Sequence, residues 1–387
     1  MCGIASAVFL LVLERAGNFR VAHEQIVYTL PLAGLVIGSV YERWGKSIIG
    51  GNNLVLDTIH TIHEDAAQIP LRMAPMVLVG TVLTHVFGGS AGREGTAVQI
   101  GASLADAISH RFGVSKETRR QLLVAGIAGG FGSVFGTPVA GAIFGLEVVC
   151  LGRMEYGALL PALIASVIGD QVTRGLGVVH TPYPLSPHVE LTLAVFGKLA
   201  IMAVAMAVTT IAFVELTHRM KAVLQQRIPR LPFRMFVGGC AVVLMWKAIG
   251  TSDYLGLGIP MILRAFNDPQ LPVYAFAAKL AFTAVTLGCG FFGGEVTPLF
   301  FVGATLGSVL ARTLGLPIDL GAGVGIAAVF GAAANTPLAL SVMAVELLGG
   351  AAFPHVVIVS ALAYLLSGRR SVYPSQRIRR KLGRAEL

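Results

Sequence analysis

No water-soluble core can absorb the apolar runs that recur along this chain. Residues 191–214 carry one charge, Lys198, in 24 positions, and residues 201–214 carry none. A helix needs about 20 apolar residues to cross the hydrocarbon of a bilayer. Runs of the same character lie at 4–13, 26–40, 73–86, 235–249, 271–287 and 351–366. Charged residues make up 13% of the chain, where soluble domains carry about 25%. Mean hydropathy is +0.76. The expected fold class is therefore an all-α polytopic membrane protein, one transmembrane domain over 1–387 with no room for a soluble one.

The net charge of +9 does not point to nucleic acid. The basic residues gather in short loops and at the C-terminal end, at 219–234 and 369–384. That distribution is expected of cytoplasmic segments, which also meet anionic lipid. A third basic cluster at 111–120 competes for the same assignment. The N-terminus has no basic n-region and no cleavage site, so no signal peptide is expected. Cys2, Cys150, Cys240 and Cys289 have neither disulfide nor metal spacing and read as reduced packing residues.

The chain repeats itself. "VQIGASLADAI" at 98–108 resembles "FVGATLGSVLA" at 301–311, with Gly101 answering Gly303 at an offset of 202. "GIAGGFGSVFGTPVAGAIFGLEVV" at 126–149 resembles "GIAAVFGAAANTPLALSVMAVELL" at 325–348. Thr137 and Pro138 there answer Thr336 and Pro337 at an offset of 199, and Glu147 answers Glu346. Two repeats are expected, about 1–175 and 191–375, joined by a Pro- and Gly-rich linker at about 176–190 and followed by a basic tail at 376–387. Internal repeats in a membrane protein suggest a transporter whose site lies at the repeat interface, near the bilayer midplane.

Gly-interrupted segments at matching places mark that interface: "GGSAGREG" at 88–95 and "GCGFFGGEVT" at 288–297. Each precedes about 15 apolar residues, short for a full span. Broken helices are expected there, with N-termini meeting inside the membrane. Their free N–H groups and positive dipole ends attract an anion, and glycine lets the backbone come close. Scattered glycines such as Gly145 and Gly323 read instead as helix-packing positions.

These motifs resemble the CLC family of chloride channels and anion/proton antiporters. The resemblance runs through "GGSAGREGTAVQIG", "GSVFGTPVAGAIFGLE" (132–147), "GGEVTP" (293–298) and "SVYPS" (371–375), and covers nearly the whole chain. It implies the CLC-type fold of two inverted repeats, a homodimer with one pore per subunit, and no enzymatic activity or cofactor. The departures are informative. Thr96 stands where chloride-type members have Pro, and Asn52 in "GNNLV" stands where they have Ser. Glu295 occupies a usually apolar position, and Val148 follows Glu147 where exchangers carry an internal proton-accepting Glu. This combination resembles the bacterial fluoride/proton antiporter branch. It implies fluoride and protons as substrates and a multi-pass protein of the bacterial inner membrane with its C-terminus in the cytoplasm. A chloride/proton antiporter and a passive anion channel of the same fold are alternatives. An intramembrane enzyme and a receptor or scaffold are alternatives from other classes.

By the same resemblance, gating and proton coupling fall to Glu94 and Glu295. Anion binding falls to Asn52, Gly92, Arg93, Gly95, Thr96, Gly294, Val296, Thr297 and Tyr373. Glu94 suits a gate because a membrane carboxylate can cycle between charged and neutral forms; the plainer reading is an ion pair with Arg93. Glu295 reads otherwise as a helix N-terminal acid. Thr297 can offer its hydroxyl to the anion or to Glu295. Asn52 and Tyr373 supply amide and phenolic donors, or else a helix cap and an interfacial aromatic. Glu147 and Glu346 follow matching Thr-Pro breaks and suggest a shared architectural task, such as bonding a loop backbone. "HTIHED" at 60–65 places His60, His63 and Glu64 on one helical face but lacks the order of a zinc peptidase, so no metal is expected. "GLGIP" at 256–260 has neither the strand nor the acid of a phosphate loop.

Overall fold

The computed structural model describes residues 1–62, 67–183 and 189–377. His63, Glu64 and Asp65, the C-terminal part of the acidic histidine stretch, lie outside the described residues, as does most of the basic tail. The described residues form sixteen α-helices and no strand. The first eight are α1 (Cys2–Ala22), α2 (Leu30–Trp44), α3 (Asn52–Thr61), α4 (Met73–Val86), α5 (Glu94–Arg111), α6 (Lys116–Phe135), α7 (Pro138–Glu147) and α8 (Leu159–Gly175). The other eight are α9 (Leu193–Arg227), α10 (Leu231–Ile249), α11 (Ile259–Asn267), α12 (Ala275–Gly288), α13 (Val296–Leu314), α14 (Ile318–Ala334), α15 (Pro337–Leu348) and α16 (Phe353–Ser367).

Among the described residues, six helical segments are long and apolar enough to cross a membrane: Cys2–Ala22, Tyr156–Gly175, Leu193–Arg227, Leu231–Ile249, Val296–Leu314 and Gly350–Ser367. Shorter apolar helices, among them α4, α7, α12 and α15, complete the bundle. At 1.5 Å per residue α9 is about 52 Å long, beyond the roughly 30 Å hydrocarbon core. Part of it therefore lies outside the hydrocarbon. Helices α5 and α13, which follow the glycine-rich breaks, have 18 and 19 residues. They exceed the 15 expected; Glu94 is the first residue of α5, and Glu295 is the cap residue just before α13.

The repeated text folds into repeated contacts. Helices α5 and α6 cross where Gly101 meets Gly126, and a Cβ on Gly126 would stand 2.6 Å from the Gly101 carbonyl oxygen. Helices α13 and α14 cross where Gly303 meets Gly325, equally without room for a side chain. Small residues at a crossing let two backbones touch, which supplies dispersion contact where lipid offers no hydrophobic drive. Between the crossings runs a column of rings: Phe135 on Phe300 at 5.1 Å, Phe300 on Phe330 at 5.8 Å, and Phe131 on Phe144 at 4.1 Å.

Glu147 and Glu346 join the halves reciprocally. The Glu346 carboxylate accepts the Val139 and Ala140 N–H groups at 2.9 and 2.8 Å, and Glu147 accepts those of Leu338 and Ala339 at 3.2 and 2.8 Å. Each carboxylate thus caps the first turn of the other half's Pro-started helix, where Pro138 and Pro337 have no N–H to give. Hydrogen bonds to a charged partner in a buried setting are worth about 1.5–3 kcal/mol. Glu147→Gln is expected to destabilise the protein by that order, read as a lower thermal unfolding temperature in detergent, while Glu147→Gln combined with Glu346→Gln should come close to additive because the two clasps share no partner.

Candidate functional site

The two glycine-rich breaks meet. Gly92 N–H donates to the Gly294 carbonyl at 2.6 Å, and Gly294 N–H donates back to Gly92 at 2.9 Å, an antiparallel two-bond clasp. Because the strands of this clasp run oppositely, α5 and α13 leave it in opposite senses with their N-termini adjacent. Gly293 sits at φ +150°, open only to glycine without strain. A Cβ on Gly92 would lie 3.0 Å from the Gly294 oxygen and from Pro298 Cδ, and one on Gly95 would lie 2.9 Å from Asn52 Nδ2. Close backbone approach is what these glycines supply.

Glu94 is the first residue of α5, yet its carboxylate is bound to the start of α13. Oε2 accepts the Thr297 N–H at 3.1 Å, and the Thr297 hydroxyl lies 2.6 Å from both carboxylate oxygens. The Arg93 N–H adds a bond at 3.1 Å, and Arg93 Nε stands 3.4 Å from Oε1. Glu94 is 1% exposed. The ion pair with Arg93 is therefore present but longer than the bonds from Thr297. The Thr297 hydroxyl, expected to serve the anion or Glu295, is turned to Glu94. A carboxyl group rests on a helix N-terminus, the place that backbone N–H groups and the dipole prepare for an anion.

Beside this knot opens a polar cavity of about 120 Å³. Of the candidate residues, Asn52, Thr96, Glu295 and Tyr373 line it, while Glu94 and Thr297 are not on its wall. Asn52 opens α3 as its first helical residue; Gly51 holds the cap position, and the Asn52 side chain makes no cap bond. Its Oδ1 is buried with no hydrogen-bond partner, as befits a polar group turned toward a site instead of toward backbone. Tyr373 is 4% exposed, so it is a cavity residue and not an interfacial one. Gln376 steadies the Tyr373 turn by donating to Val148 and Ala334 carbonyls, both at 2.8 Å, and accepting from Ser371 at 2.5 Å.

Comparison with known proteins places the chain. The sequence profile described as "Voltage gated chloride channel" matches residues 1–368. The chain belongs to the CLC family. It is 45% identical over 384 residues to a chloride/fluoride channel protein of Pseudomonas syringae pv. tomato, covering 98% of this chain and 84% of that one. Among solved structures it matches a CLC-type fluoride/proton antiporter with TM-score 0.93 and 36% identity, over 97% of this chain and 95% of the other. A slow cyanobacterial chloride/proton antiporter matches with TM-score 0.70 at 17% identity, over 96% of each chain, a likeness of fold. The protein is an anion transporter of the CLC fold, membrane-spanning, and of a family of channels and transporters, not enzymes.

Within this CLC fold several cavity residues were not foreseen from the sequence. Thr81 on α4 shares a 2.7 Å bond with Thr96, and Gln99 extends the polar wall along α5. Both are polar residues in apolar helices, and in Gln99 the spacing of three from Thr96 was a readable signal. Lys221, Gln225 and Arg234 also line the cavity. Arg234 lay in a stretch read as a basic loop, but it opens into α10, is 6% exposed, and donates to the Cys289 carbonyl at 3.2 Å. It also donates to the nearby Ile228 carbonyl at 3.4 Å, but Cys289 lies 55 residues away in the chain, so no local pattern marks that bond.

Proposed function

We propose that this protein is a fluoride/proton antiporter that expels fluoride in exchange for protons, with Glu94 as its protonatable gate. The observation that carries this reading is the Glu94 carboxylate seated on the N-terminus of α13 by the Thr297 N–H and hydroxyl. Charged, Glu94 fills an anion position. Protonated, it loses the charge-assisted part of those bonds and yields the helix N-terminus to the transported anion. One group thereby alternates between proton and anion, and the two fluxes become linked in opposite directions. Glu295, on the cavity wall and one residue before α13, is suited to pass protons between the cavity and the gate. Asn52, Thr96, Tyr373 and Gln99 line the approach with hydrogen-bond donors, as the strongly hydrated fluoride ion requires. The relative named for chloride and fluoride and the antiporter of 36% identity support the choice of substrate. We further propose a homodimer in the bacterial plasma membrane, with the C-terminus cytoplasmic.

The test is efflux from proteoliposomes under a fluoride gradient, read by fluoride and pH electrodes in one sample, with chloride-loaded vesicles alongside. Fluoride leaving as protons enter, with chloride slower by at least tenfold, is the expected result. Fast chloride movement would overturn the fluoride assignment, and fluoride movement without protons would make the protein a channel. In the same assay Glu295→Gln is expected to slow coupled transport about tenfold or more, since an amide cannot relay a proton; unchanged coupled rates would remove Glu295 from the proton route.

A further inference from the structure

The turn that carries Glu94 is held from both sides by a single turn of α4. Thr81 and His85 stand four residues apart on that helix and so share a face. Thr81 gives its side chain to Thr96, two residues after Glu94, through the 2.7 Å hydroxyl pair. His85 reaches Ala91, three residues before Glu94: its Nε2 lies 3.0 Å from the Ala91 carbonyl oxygen. Its Nδ1 lies 2.8 Å from the carbonyl oxygen of Thr81 itself. Thr81, His85, Ala91 and Thr96 are all at most 2% exposed. The result is a bracket, Thr96–Thr81–His85–Ala91, closed around the gate and owing nothing to the gate's own carboxylate.

Both ring nitrogens of His85 face carbonyl oxygens, and a neutral imidazole has one N–H to give. The Thr81 oxygen is one turn before His85 in a regular helix and already receives the His85 backbone N–H. The Ala91 oxygen, outside any helix, has no other hydrogen bond among the described residues. A buried carbonyl without a donor is costly, so the ring's proton belongs on Nε2, directed at Ala91. Other contacts secure the preceding residues: Ser90 N–H donates to Thr286 at 3.1 Å, and Gly256 N–H donates to the Gly89 carbonyl at 3.1 Å. Ala91 is thus the last pinned residue before the Gly92 clasp, and among the described residues the bond from His85 is its one hydrogen bond to α4.

We infer that His85 is a positioning residue for the gate: its Nε2–H strut to the Ala91 carbonyl, with the Thr81–Thr96 pair, fixes the backbone around Glu94 so that the carboxylate alone moves. Its consequence for transport rests on the gate role proposed above, whereas the strut itself does not. Substitution separates the two ring nitrogens. Glutamine sets an amide donor near the place of Nε2, asparagine sets one near the place of Nδ1, and phenylalanine keeps the ring volume without a donor.

The test pairs hydrogen exchange of residues 88–96 in nanodiscs with the fluoride and proton fluxes of the same proteins. In H85N and H85F, exchange of this segment is expected to rise about tenfold, the loss of one buried hydrogen bond. The number of protons moved per fluoride is expected to fall by half or more in those two variants. In H85Q both readings should stay within about twofold of the parent. T81V, which removes the other arm of the bracket at nearly constant volume, should loosen the same segment and serves if the histidine variants are poorly folded. Unchanged exchange in H85N, H85F and T81V overturns the strut. Exchange that rises equally in H85Q assigns His85 to packing and overturns it as well. Raised exchange with parental coupling overturns the positioning role. A parent that moves no fluoride defeats the proposed function instead, and the exchange series then decides the strut by itself.

Discussion

Glu94→Gln is expected to abolish proton movement coupled to fluoride and to leave whatever fluoride flux remains insensitive to pH. The amide matches the carboxylate in size, so the clasp between Gly92 and Gly294 and the start of α5 should persist. It has no proton to take up or release. Its NH₂ group also replaces one of the two oxygens: at the place of Oε2 it would face the Thr297 and Arg93 N–H groups, and at the place of Oε1 the Arg93 guanidinium. Bonds to a charged partner are worth about 1.5–3 kcal/mol each, so the residue should leave the N-terminus of α13 about ten to a hundred times more readily. Dual-electrode flux measurements at several pH values on either side of the carboxylate range, with matched protein density, provide the check. Proton uptake that still follows fluoride in the variant would remove Glu94 from the coupling step.

Gly303→Val should have the largest effect on stability. A Cβ at Gly303 would enter the Gly325 carbonyl group and stand 3.0 Å from the Ile326 nitrogen, atoms of a facing backbone that has no rotamer with which to yield. Overpacking of an ordinary core costs about 1–3 kcal/mol, with more where backbone must separate. Helices α13 and α14 carry Thr297 and one wall of the phenylalanine column, so parting them also disturbs the contact between Thr297 and Glu94. The expected outcome is loss of monodisperse protein on size exclusion, or a fall in unfolding temperature well beyond that of Glu147→Gln. Gly197→Ala is the control: it lies in α9 with no atom within 4 Å of an added Cβ, and should be neutral or gain up to about 1 kcal/mol from helix propensity. A tolerated Gly303→Val would overturn the close backbone contact between Gly303 and Gly325 as a determinant of stability.

Much of the architecture could be read before folding was considered. The apolar run at 73–86 is α4 to the residue, and the run at 235–249 ends with α10. Hydrophobic periodicity and length are local properties, and a membrane strengthens them by requiring each span to satisfy its own backbone. The repeated text set Gly101 against Gly303, and the structure places each at a helix crossing, because a glycine demanded by backbone contact leaves its mark on sequence in both halves. The site was legible in part. "GGSAGREG" and "GGEVTP" pointed to paired helix N-termini through glycine content and isolated acids, and Asn52, Thr96, Glu295 and Tyr373 do share one cavity.

What the chain alone determined, then, was the apolar spans, the doubled glycine breaks and the chemical types gathered at them. Only the tertiary structure decided partnership. Glu94 begins α5 but bonds to Thr297, 203 residues on. Glu147 and Glu346 cap helices in the opposite half. Arg234 turns from an expected basic loop into a buried donor, and Thr81 with His85 brackets the Glu94 turn, which lies beyond the end of their own helix. The reason is physical. A helix or a span is selected by interactions within a few residues, whose spacing sequence displays directly. A hydrogen bond across the interface is selected by the geometry of two folded halves, and its donors and acceptors include backbone groups that every residue carries alike.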